Sequence, residues 1–108
     1  RKLAVVREGL TLVGRPAIDY MIWVHTDKQS VHRRQDVTFV LGEMRAKEAV
    51  PVLLEALRDT DALLRRLAAD ALGKIGDSRA RDRLRLLLRD ENAIVRKSAA
   101  RALRKLPV

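Results

Sequence analysis

The chain has 108 residues, of which 47% are hydrophobic, 34% charged and only 3% aromatic, and its formal net charge is +9. That is length for one domain and apolar material, mostly Leu, Ala and Val, for one core. With no cysteine, disulfides, thiolate metal sites and a thiol nucleophile are all excluded.

No apolar run reaches the roughly 20 residues that a membrane-crossing helix needs. The opening Arg1-Lys2-Leu3-Ala4-Val5-Val6-Arg7 has charges too close together for a secretion signal. We therefore expect a cytoplasmic chain with no membrane partner. The chain does not begin with Met, which fits a piece of a longer solenoid or multidomain protein.

The predicted elements are seven helices. The first, about residues 2–13, is the loosest: Val6, Leu10 and Val13 precede Val37, Leu41 and Met44 by 31 positions. The second, about 16–26, opens on Pro16, whose missing N–H costs nothing in a first turn. Its Ala17 and Met21 precede Ala49 and Leu53 by 32. The third, about 30–44, starts at Ser30 and carries Val37, Val40, Leu41 and Met44 on one face. The fourth, about 48–58, turns Ala49, Leu53 and Leu57 inward and ends on Arg58-Asp59. The fifth, about 61–75, repeats the third 31 residues on, with Asp61, Arg65, Ala68, Ala71, Leu72 and Ile75. The sixth, about 79–89, repeats the fourth with Ala80, Leu84, Leu88 and Arg89-Asp90. The seventh, about 92–106, starts at Asn92 and repeats Arg96, Ala99, Ala102, Leu103 and Leu106. Ser30, Asp61 and Asn92 are all good helix N-caps, so the register is anchored three times.

Internal periodicity of this length is the mark of stacked helical hairpins, each with too little core to stand alone. One all-α solenoid domain over 1–108 is expected, in repeats of about 1–28, 29–59, 60–90 and a partial 91–108.

The stretch Leu64-Arg65-Arg66-Leu67-Ala68-Ala69-Asp70-Ala71-Leu72-Gly73-Lys74-Ile75-Gly76-Asp77 resembles the HEAT repeat of the phycobilisome-lyase-like subclass. Glu48–Asp59 looks like that subclass's second helix, and Val95–Leu103 repeats its first. The resemblance covers 30–106 well and 1–29 loosely. It implies a right-handed superhelix with first helices on the convex side and second helices on the concave side. Arg33, Asp36 and Arg104 depart from the pattern.

On the second helices, the outward rows are Pro16, Asp19, Trp23 and Thr26; Glu48, Pro51, Glu55 and Arg58; and Arg79, Asp82, Leu86 and Arg89. A concave ridge of Trp23, Glu55, Arg58, Arg79, Asp82 and Arg89 is the expected partner-binding surface. It reads equally as a plain solvated face, and Trp23 with Tyr20 and His25 as a cover for one end of the stack. Phe39 is expected to tuck against a neighbouring helix.

The positive charge is uneven. Residues 79–108 hold ten basic and three acidic side chains. Arg81 and Arg85 replace Val50 and Leu54, either as a polar end cap or as an anion site. Arg101, Arg104 and Lys105 either keep that end soluble or touch nucleic acid. The absence of aromatics there argues against single-strand stacking. Arg34, Arg65 and Arg96 are expected in an Asp–Arg ladder with Asp59 and Asp90. His25 and His32, seven apart, lack a third metal ligand, and no Ser–His–Asp set is available.

The expectation is thus a non-catalytic scaffold, with no cofactor, binding a protein that is acidic in character. The alternatives are a sequence-independent nucleic-acid binder and, from the resemblance alone, an accessory chain of a bilin lyase.

Overall fold

A computed structural model describes residues 15–26 and 30–107. The predicted helix at 2–13 lies outside the described residues. Six α-helices follow one another: α1 Arg15–Thr26, α2 Val31–Glu43, α3 Val50–Ala56, α4 Ala62–Ile75, α5 Arg81–Leu87 and α6 Ala93–Lys105. Short 3-10 turns, Lys47–Ala49 and Ser78–Ala80, lead into α3 and α5. There is no strand among the described residues, and the architecture is an all-α solenoid.

The three N-caps form as their residue types require. Ser30 accepts from the Arg33 N–H, Asp61 from Leu64, and Asn92 from Ile94 and Val95. Ends differ where the turn chemistry differs. Gly76 closes α4 at φ 72, a left-handed conformation that glycine adopts without steric cost. One repeat earlier that conformation falls to Arg45, at φ 51, whose guanidinium Nε donates to the Lys74 carbonyl at 3.2 Å.

The first helices α2, α4 and α6 pack side by side, and α3 and α5 lie against α4 and α6 as a second layer. The core runs along the seam: Leu41, Ala49, Leu53, Leu64, Ala68, Leu72, Ala80, Leu84 and Ala99 are fully buried. The first-helix layer is tight because glycines sit at its crossings. A Cβ on Gly42 would meet the Ala71 Cβ at 2.7 Å, and one on Gly73 would meet the Ala102 Cα at 2.9 Å. The same close approach is made twice, one repeat apart.

The Asp–Arg ladder forms for two of its three rungs. Arg34 pairs with Asp59 and Arg65 with Asp90, each at 2.8 Å and each nearly buried. Arg96 instead donates to the Asp90 backbone carbonyl at 2.6 Å. Both aspartates also accept the N–H two residues on, at Asp61 and Asn92, so each one shapes the turn that starts the next helix.

Three packing expectations are corrected. Leu88, expected inward like Leu57, is 41% exposed, and Leu87 takes the buried place. Leu57 has a further hairpin packed beyond it, and Leu88 lies after the last second helix of the described residues. Met44 is likewise partly exposed at the end of α2. Phe39 is not tucked in: it is half exposed, with the Lys74 ammonium 5.2 Å from its ring centre.

Candidate functional site

The outward rows of the second helices are exposed. Asp19, Trp23 and Thr26 on α1, Glu48, Pro51, Glu55 and Arg58 around α3, and Arg79, Asp82, Leu86 and Arg89 around α5 all face solvent. The Pro16 side chain lies outside the described residues. Trp23 and Tyr20 form a tilted aromatic pair, centroids 6.1 Å apart, with Trp23 62% exposed. Arg79 is clamped onto Asp77 by side chain and backbone, and these bonds hold the Asp77 carboxyl below its ordinary range. Arg79 is therefore committed to its turn.

Two of the expected residues, Glu55 and Arg58, come together at a cavity of about 560 Å³ between α1 and α3. His25, Thr26, Arg34, Pro51, Val52 and Asp59 complete its wall. Arg34 is committed: its Nε donates to the His25 carbonyl at 3.1 Å and its Nη2 to Asp59 at 2.8 Å. Thr26 donates its hydroxyl to the Trp23 carbonyl. Glu55 and Arg58 form no ion pair among the described residues.

His25 is the residue that sequence reasoning missed in this place. It is 3% exposed, and its Nε2 is buried with no hydrogen-bond partner. Burial, and after it the Arg34 charge, push its pKa from 6.5 down to about 4, against its own backbone hydrogen bond and the Asp59 charge. The folded chain therefore refuses a proton that the unfolded chain accepts below 6.5. Stability is expected to fall as pH drops through the window from 6.5 to about 4. The expected loss is up to about 2 kcal/mol, and His25→Gln should flatten the slope of Tm against pH. An unchanged slope in that variant would assign the titration elsewhere.

The basic end is less concerted. Arg81 is half buried and donates to the Pro107 carbonyl. Arg85 is exposed beside Asp82 at 3.8 Å. Arg101, Arg104 and Lys105 are exposed on α6 without an ion pair among the described residues. His32 is exposed, with Asp36 one turn on along the same helix. Among the described residues, no three His, Asp or Glu side chains are grouped to hold a metal ion. No helix there is long and apolar enough to cross a membrane.

The model of HEAT repeats matches residues 18–104. The chain belongs to the HEAT-repeat family. This HEAT-repeat chain is also similar to curated proteins named deoxyhypusine hydroxylase. The one from Bos taurus is 42% identical over 53 residues, which are 47% of this chain and 18% of the relative. The one from Gallus gallus is 37% identical over 76 residues, 68% of this chain and 25% of the relative. The one from Homo sapiens is 32% identical over 75 residues, 66% and 25%. The HEAT-repeat chain thus spans a quarter or less of the relatives it matches. These names overturn the expectation of a non-catalytic scaffold: the relatives are named as an enzyme.

Proposed function

We propose that this chain is part of an enzyme of the deoxyhypusine hydroxylase type, and that its second-helix face meets the substrate. The observation that carries this reading is the identity to relatives of that name over two thirds of the chain. The exposed row supports the second half of it. Trp23 offers an aromatic anchor, Glu55 an uncommitted carboxylate for an amine-bearing side chain, and Arg58, Asp82 and Arg89 further charge. We also infer the phycobilisome-lyase-like repeat subclass, on Leu64–Asp77 and Glu48–Asp59, whose Ala68, Leu72 and Leu53 fill the seam.

Adding a hydroxyl group to a carbon needs an oxygen-activating group. The described residues do not fit a metal for that work: His25 has the Arg34 cation beside it, and no three His, Asp or Glu side chains are grouped. No step of oxygen chemistry is therefore assigned to a described residue.

The test is to mix the protein with a deoxyhypusine-bearing peptide in air with a chemical reductant, with and without ferrous iron, and to follow both peptide mass and binding. Binding tighter than that of the same peptide with plain lysine is expected. Trp23→Ala and Arg89→Gln should each weaken binding about tenfold, the usual size of a hot-spot loss. A peptide that gains no oxygen and binds no better than its lysine form sinks the reading.

A further inference from the structure

We propose that the outer face of α6 docks an acidic helix of a partner protein, with Lys97, Arg101 and Arg104 meeting carboxylates spaced one turn apart. This face belongs to the first-helix layer, so the inference stands apart from the reading of the second-helix face.

The first helices receive one another through the same register positions. On α2, Gln35 donates to Asp61, the N-cap of α4, at 2.8 Å. Phe39 holds the Lys74 ammonium over its ring, and Gly42 lets Ala71 approach. One repeat on, those three positions are Arg66, Asp70 and Gly73, and Gly73 lets Ala102 of α6 approach in the same way. One repeat further they are Lys97, Arg101 and Arg104.

The charge on this face changes abruptly at α6. The three positions carry no net charge on α2, and on α4 Arg66 and Asp70 offset each other at 3.9 Å. On α6 all three are cations, all exposed, and without an ion pair among the described residues. α6 holds no acidic residue of its own. Lys105 leans back toward Gly73, as Lys74 leans back to Glu43, and so belongs to the seam with α4. Like charges one turn apart on a helix repel, and carboxylates brought up to them relieve the repulsion.

Arg104 also decides how near a neighbour can come. A side chain in the glycine position forbids the close crossing made at Gly42 and Gly73. A neighbouring helix must stand a side chain's length off, where ion pairs make the contact. Lys97, Arg101 and Arg104 stand at i, i+4 and i+7, within about 60° of arc and about 10 Å of helix axis. A second helix with Glu or Asp at the same intervals matches all three. Ile94, 55% exposed, lies on the same flank one turn before Lys97, and its apolar side chain suits a protein better than a phosphate backbone.

The experiment titrates the full chain, at low salt, into a labelled alanine-based helix of about 20 residues with Glu at i, i+4 and i+7. A second peptide has the same composition, with its glutamates spread around the helix. We expect saturable binding of the striped peptide, about tenfold tighter than of the spread one. Arg101→Gln with Arg104→Gln should weaken it about tenfold, the effect of losing two exposed ion pairs. Arg33→Gln with Lys47→Gln removes the same charge from exposed positions elsewhere and should change binding by less than about twofold. Circular dichroism checks that each variant stays folded. Absent binding, equal binding of the two peptides, or equal loss in the two double variants would overturn the proposal. Duplex DNA that binds tighter than the striped peptide, and is lost with the same two arginines, would make the face a phosphate surface and overturn it as well.

Discussion

Arg65→Ala is expected to lower the unfolding free energy by about 3 kcal/mol, measured by urea denaturation at neutral pH. Arg65 grips Asp90 with two bonds, Nε to Oδ2 at 2.8 Å and Nη2 to Oδ1 at 3.0 Å. Its Nη1 also serves the carbonyls of Asp59 and Thr60, at 2.8 and 3.1 Å. The two side chains are only 9% and 11% exposed. Truncation therefore strands a carboxylate in the seam and takes a donor from two carbonyls at once. Burial works against the charge on Asp90, but the Arg65 bond, the Asn92 N–H and the Arg65 and Arg96 charges outweigh it and hold its carboxyl below the ordinary range. That stabilisation is present above the usual carboxylate pKa of 3.8 and is lost as acid protonates Asp90. Adding Asp90→Asn to Arg65→Ala should recover part of the loss, because a neutral amide is cheaper to bury and still accepts the Asn92 N–H. A loss below about 1 kcal/mol, the size of an exposed pair, would show that water reaches this one.

Gly42→Ala runs against helix propensity. Ala is the better helix former by about 1 kcal/mol, yet here it is expected to destabilise by about 2 kcal/mol. The new methyl would lie 2.7 Å from the Ala71 Cβ and 2.8 Å from its Cα, and backbone cannot step aside as a flexible side-chain end can. α2 and α4 would have to separate. Combining it with Ala71→Gly should restore only part of the stability, since the clash with the backbone at position 71 remains. A neutral or stabilising result in thermal melts would mean that the two helices slide apart freely.

The fold was legible because its signals recur at one spacing. Ser30, Asp61 and Asn92 each cap a helix, and Arg34 and Arg65 each reach the aspartate of the following turn. Features that depend on what covers a residue were not legible. Leu57 and Leu88 are the same residue at the same register position, yet one is 2% exposed and the other 41%. The site was half legible. Helical phase placed Glu55 and Arg58 outward, but the burial of His25 depends on Arg34 and α3 closing over it from across a turn. The enzymatic relationship left no mark in residue types, because the described repeats hold no grouped metal ligands or nucleophile set, and the match lies in the repeat sequence itself.

The bonds between repeats share one reach. Gln35 to Asp61, Arg45 to the Lys74 carbonyl and Lys74 to Glu43 join residues 26, 29 and 31 apart. Such a molecule is wired like a zip: each hairpin finds its partners in the one made just before it. Growth from a ribosome can proceed by docking, with little waiting for distant chain. A duplicated block of one repeat would likewise find ready-made partners on both sides, so the chain can change in length while leaving the older contacts as they were.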